Sequence, residues 1–199
     1  MSAAMDFLVY SRAIPESDQA EHTADEEPLN ERHWAYMDGF ARGMTARGPT
    51  LGPDRDSWTG SLHIVDLPDA RAVRAFVDDE PYQRAGLFAD HVVLRFNNLL
   101  GRTMWEFPDT TQDPKFLIIA QEPTAGREAA PLDDLTERLR DLLVVYGALG
   151  TLDDRPAGVA LAVQVASRGA LEALLADPSL GLSGFGTVEV HDWEFGGRR

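Results

Sequence analysis

Short runs of β-branched and aromatic residues alternate along this chain with segments whose apolar positions recur at helical spacing. Asp6-Phe7-Leu8-Val9-Tyr10 predicts one strand, and Lys115-Phe116-Leu117-Ile118-Ile119 predicts another of the same kind. A helix is expected after each. His33, Met37, Phe40 and Met44 share one face of the first, with Trp34 and Ala41 beside them. Leu132, Leu135, Leu139, Leu142, Leu143 and Tyr146 share one face of the second. Pro28 suits the first turn of the earlier helix, and Asp25, Glu26 and Glu27 suit its positive end. The acidic stretch from Glu16 to Glu31 reads as a solvated loop running into that helix.

The pattern then runs in parallel through both halves. Residues 48–52 and 150–153 read as short strands leaving the helices through glycine, and residues 57–65 and 158–165 as the main strands. Val73, Phe76 and Val77 mark a short second helix, as do Leu171, Leu174 and Leu175. Each ends in an acidic residue before proline, Glu80-Pro81 and Asp177-Pro178. Closing strands are expected at 91–96 and 187–193.

Each half therefore spells β-α-β-β-α-β. The expected fold class is α+β, with two ferredoxin-like repeats packing their sheets together as a pseudo-dimeric α+β barrel. Trp-Glu-Phe occurs at 105–107 and again at 193–195, which fits duplication. The expected organisation is a first repeat at 1–107, a polar proline-bounded linker at 108–114 and a degenerate second repeat at 115–199. A small molecule would lie between sheet and helices.

Composition narrows the partners. In 199 residues, 44% are hydrophobic, which is the profile of a folded globular chain. Lys and Arg number 18 against 33 Asp and Glu, giving a formal charge of −15 that repels nucleic acid and anionic membranes. The absence of cysteine removes disulfides, thiolate nucleophiles and zinc–thiolate sites. No apolar run is long enough for a membrane helix or a signal-peptide core, so a cytoplasmic location is expected. His22, His63, His91 and His191 lack metal-ligand spacing, and no Gly-x-Ser-x-Gly elbow occurs, so neither a metal nor a nucleophile-elbow hydrolase is expected. Trp34, Tyr36, Trp58 and Tyr82 are candidates for the wall of a pocket for a flat ligand, and equally for ordinary core packing.

His33-Trp34-Ala35-Tyr36-Met37, Gly48-Pro49, Gly60-Ser61-Leu62 and the run from Glu80 to Phe88 occur in an order that resembles the YciI (YCII-related) family of the dimeric α+β barrel superfamily. The resemblance covers about residues 5 to 107, with a fainter echo in the second half at Gly150, Gly158 and Ala176-Asp177-Pro178. It implies a site in which a first-helix histidine pairs with an aspartate before a Pro-aromatic step. The histidine falls on His33. The acidic position falls on Glu80 if Pro81 sets the register, or on Asp79 if the helix end shifts. The second half keeps Asp177 in the acidic slot but has no histidine near residues 133–136.

A histidine–carboxylate dyad moves protons near neutral pH without metal or cofactor. The resemblance thus implies a cofactor-free enzyme of small molecules, of lyase, isomerase or hydrolase type, with His33 as acid/base, Glu80 or Asp79 orienting it, and Arg32 and Tyr82 holding an anionic or carbonyl substrate. Two other readings stay open: a non-catalytic ligand-binding or assembly protein, and a cofactor-independent oxygenase or cyclase. The expected partner is a small-molecule ligand, and the expected assembly a homodimer.

Overall fold

The computed structural model describes residues 5–19, 26–123 and 137–197. These form an α+β fold of eight strands and few helices. In order they are β1 (Met5–Ala13), α1 (Glu16–Gln19), α2 (Glu26–Asp38), β2 (Met44–Leu51), β3 (Trp58–Leu67), α3 (Ala70–Asp78), α4 (Pro81–Arg84) and β4 (Phe88–Asn98). Then follow β5 (Lys115–Pro123), β6 (Leu143–Gly150), β7 (Pro156–Gln164), α5 (Arg168–Leu175) and β8 (Phe185–Trp193). The chain divides into two compact units, residues 1–93 with 195–199, and residues 94–194. Among the described residues, no helix is long and apolar enough to cross a membrane.

In the first unit β1 is central. Phe7 to Ser11 are buried without interruption, so this strand reads as a continuous apolar run and not as an alternation. β3 pairs antiparallel along one side of β1, from Met5↔Leu67 to Arg12↔Gly60, and β4 flanks the other side. β2 pairs antiparallel with β3, placing Arg47 opposite His63. α3 starts where Asp69 accepts from the backbone N–H groups of Arg71 and Ala72, and it buries Val73 and Phe76. In the second unit β5 is central, with β7 and β8 antiparallel on either side and β6 antiparallel to β7. The end of β4, Arg95 to Asn98, pairs with Gly150 to Gly147 of β6.

Several sequence expectations need correction. Met44 is not on the first helix: α2 ends at Asp38, and residues 39–43 turn into β2, which Met44 begins. Leu143 and Tyr146 are not on a helix face either, because they lie in β6. That segment, Leu-Val-Val-Tyr-Gly-Ala-Leu-Gly, is buried throughout its first five residues, and a run buried on both faces carries no period that separates strand from helix. The helix that precedes it is described only at residues 137–139; Leu132 and Leu135 lie outside the described residues. The strand expected at 150–153 is a turn beyond Gly150, and the acidic stretch is partly helical, in α1 and in α2 from Glu26.

Two glycines allow close strand approach. Gly60 has φ +155°, and a Cβ there would lie 2.3 Å from the Ser11 carbonyl oxygen; Gly158 has φ +151°, and a Cβ there would lie 1.9 Å from that of Ala120. Gly60→Ala therefore combines overpacking of about 1–3 kcal/mol with backbone strain of about 1–3 kcal/mol. Gly101 has φ +64°, and a Cβ there would meet nothing within 4 Å, so Gly101→Ala carries only the left-handed cost of about 1–2 kcal/mol. Urea unfolding should show the larger loss for Gly60→Ala, and equal midpoints would refute this account of β1 and β3.

Candidate functional site

The site lies within the first unit and begins with α2. His33 and Met37 are one turn apart and buried, whereas Glu31, Arg32 and Ala35 are exposed. α4 then fixes the partner of His33. Pro81 occupies the first turn of α4, where its missing N–H costs nothing, and Glu80 is the N-cap. The two carboxylate oxygens of Glu80 have separate tasks. Oε2 accepts from the Gln83 backbone N–H at 2.8 Å, and Oε1 accepts from His33 Nδ1 at 2.6 Å. Both side chains are buried, with relative exposures of 5% for Glu80 and 10% for His33.

Aromatic contacts hold the imidazole plane. Tyr82 stacks on His33 with centroids 4.1 Å apart and an interplanar angle of 8°, and Trp34 meets it edge-on at 5.7 Å. The Tyr82 hydroxyl donates to Asn30 Oδ1 at 2.5 Å, so α4 is tied to α2 one turn before His33. Gln83 anchors α4 from its other side: its Oε1 meets His91 Nε2 at 2.8 Å, while His91 Nδ1 meets Ser11 Oγ at 2.8 Å. Burial pushes the His91 pKa down, against the pull of Asp90, Glu80 and Asp78. The Tyr36 hydroxyl donates to the Phe76 carbonyl at 3.0 Å, and burial, with Asp79 and Glu80 nearby, pushes its pKa up to about 12.

His33 faces a cavity of about 450 Å³, whose wall includes Trp34, Arg47, Trp58, His63 and Tyr82. The His63 ring lies 6.2 Å from that of His33. Burial above all, then the neighbouring His33 and Arg47, holds the His63 pKa well below the ordinary 6.5. Arg47 is 2% exposed and bonds to Asp38 Oδ1 at 3.3 Å and to the Gly197 carbonyl; its guanidinium lies 5.4 Å from the Trp34 ring centroid. The chain's Phe195–Gly197 segment completes the wall, and the Gly196 N–H donates to the Arg47 carbonyl at 2.8 Å. Among the described residues, no three His, Asp or Glu side chains gather as a metal site.

Of the residues expected at the site, the structure brings together His33, Glu80 and Tyr82. Asp79 is exposed and bonds to Arg84 at 2.5 Å, so it does not hold His33; Arg32 is exposed and does not line the cavity. Arg47, His63, Asp38 and Phe195–Gly197 were not anticipated. The available signal was an ionisable residue set within a strand: Arg47 in β2, and His63 between Leu62 and Ile64 in β3. In the second unit Asp177 pairs with Arg138 at 3.1 Å, and residues 133–136 lie outside the described residues.

A histidine kept neutral by burial binds a proton more readily when the chain unfolds, so it destabilises the folded state as pH falls below about 6.5, the ordinary value. His91 acts with the same sign. Melting temperatures between about pH 7 and pH 5 should fall for the natural chain and fall less steeply for His63→Gln, since His63 is one of two such histidines among the described residues. An unchanged slope would contradict the burial assigned to His63.

Among solved structures, 5-chloro-2-hydroxyhydroquinone dehydrochlorinase from Burkholderia phenoliruptrix is 31% identical over 45% of this chain and 90% of its own, with a TM-score of 0.38. A chlorite dismutase variant from Candidatus Nitrospira defluvii is 7% identical and covers 95% of this chain and 91% of its own, with a TM-score of 0.58. A heme-binding protein from Thermus thermophilus is 8% identical and covers 96% and 91%, with a TM-score of 0.54. The last two show likeness of fold. No curated protein matches the chain. The family model for the YCII-related domain matches the segment that holds α2, α4 and the four strands around them; residues 5–97 are a YCII-related domain.

Proposed function

We propose that the first unit is a small-molecule enzyme in which His33 transfers a proton to and from a ligand in the adjacent cavity. The observation that carries this reading is the buried 2.6 Å contact between His33 Nδ1 and Glu80 Oε1 at the wall of that cavity. The carboxylate keeps the proton on Nδ1, which leaves the Nε2 lone pair as the base. When Nε2 takes a proton from the ligand, Glu80 stabilises the imidazolium; the proton then returns to the ligand or to a leaving group. Stacking with Tyr82 holds the ring plane, so little reorganisation precedes the transfer. The chemistry this supports is isomerisation, elimination or hydrolysis.

We also infer that the chain arose by duplication of a βαββαβ unit. Three features support this. The two units repeat one strand order, β4-β1-β3-β2 and β8-β5-β7-β6, Gly60 and Gly158 occupy matching close approaches, and register shifts recur at both ends of β2 and β6. In that reading only the first unit carries the complete dyad.

Turnover can be sought among small lactones, esters and hydroxy acids, with solvent deuterium incorporation as a readout of proton abstraction. His33→Gln and Glu80→Gln should each lower the rate about 10²–10⁴-fold with the melting temperature largely retained. Asp79→Asn, at a side chain bonded to Arg84 in solvent, should leave it unchanged. A full rate in His33→Gln would overturn the acid/base assignment.

A further inference from the structure

The wall of the His33 cavity has an unusual charge make-up for this chain. The formal charge of the protein is −15, yet the described lining residues include no Asp or Glu. Glu80 stands behind His33, and Asp38 behind Arg47, neither on the wall itself. Arg47 is the one permanent charge among the described lining residues. Its neighbour across the strands, His63, is held neutral by burial, so it adds hydrogen-bonding groups without a competing charge. A buried guanidinium is a strong, planar donor for carboxylate oxygens, and it is far more effective away from water than at the surface.

The apolar part of the wall supplies the second half of the argument. Trp34, Trp58, Tyr82 and Phe195 offer ring faces and edges within about 450 Å³, room for a compact flat molecule. We infer that the cavity takes a small planar organic anion whose carboxylate is recognised by Arg47, with the Phe195–Gly197 segment holding that guanidinium in place. The inference rests on reading this cavity as the ligand site, and it does not require turnover.

Phe195–Gly197 acts on Arg47 at two points. The Gly196 N–H bonds to the Arg47 carbonyl, and the Gly197 carbonyl accepts from the guanidinium. The fit at Gly196 is tight: a Cβ there would lie 3.0 Å from Arg47 Cγ and 3.0 Å from its carbonyl oxygen. At Gly197 a Cβ meets nothing within 4 Å. Gly196 is therefore the point at which a side chain would disturb the segment's grip on Arg47.

The probes are benzoate and its neutral isostere benzamide, titrated by calorimetry or by chemical-shift changes up to about 10 mM, the weak end of fragment binding. The natural chain should bind benzoate at least tenfold more tightly than benzamide. Arg47→Gln should abolish that preference. Gly196→Val should weaken benzoate at least fivefold, and Gly101→Ala, at a glycine that does not line the cavity, should leave it unchanged, so the proposal stays testable even if Arg47→Gln fails to fold. His33→Gln should retain the preference, because the anion is assigned to Arg47. Equal binding of the two probes, or no benzoate binding at 10 mM, would overturn the anion assignment and leave the acid/base reading standing. A retained benzoate preference with no turnover of any compound would do the reverse.

Discussion

Glu80 is the residue on which the rest of the site depends, because its two oxygens join structure to chemistry. One oxygen starts α4 by capping the Gln83 N–H, and the other holds the imidazole of His33. Once α4 is started there, Tyr82 is delivered to the face of the His33 ring and Gln83 to His91. The bond to Nδ1 in turn fixes which imidazole nitrogen remains for a ligand. The family resemblance places aspartate in this slot. Glutamate has one more methylene, and the two distances of 2.6 and 2.8 Å show that the longer side chain still reaches both partners.

Ionisable groups are costly to bury, and their distribution in this chain is uneven. Among the described residues, the buried histidines, arginines and carboxylates are His33, Arg47, His63, Glu80 and Asp192. All but Asp192 stand at or directly behind one cavity of the first unit. Each is matched by a hydrogen bond, an opposite charge or a neutral protonation state. Asp192, in the second unit, is paired with Arg168. Such a concentration of desolvated titratable groups around a hollow is typical of a site built for binding or chemistry.

The legible parts of this site were those carried by the order of short motifs along the first half of the chain. The resemblance left the acidic position open between Glu80 and Asp79, and the pair Glu80-Pro81 read as the end of a helix; in the structure it starts the next one, with Glu80 as its N-cap. His33 was legible through the motif order around it. Arg47 was not, because its importance comes from the residues across the sheet and from Phe195–Gly197, which lie well over a hundred positions away in the chain. Arg32 is next to His33 in sequence, yet the helical turn that buries His33 leaves Arg32 exposed. The fold failed to show through in Leu143 to Tyr146 for a related reason. Burial on both faces of a strand erases the alternation that would have separated it from a helix.

The boundary of the first unit has a practical side for anyone wishing to dissect the protein. The match to the YCII-related domain ends at residue 97, and the first stretch of the compact unit ends at Val93, inside β4. A fragment cut at either point keeps His33, Glu80 and Tyr82 but leaves Phe195–Gly197 behind. The strand order of such a fragment would be intact while one wall of its cavity was missing and the Arg47 guanidinium had lost a carbonyl partner. Modularity in sequence and completeness of the site are thus different properties in this molecule: the unit that carries the dyad is assembled from two separate stretches of chain.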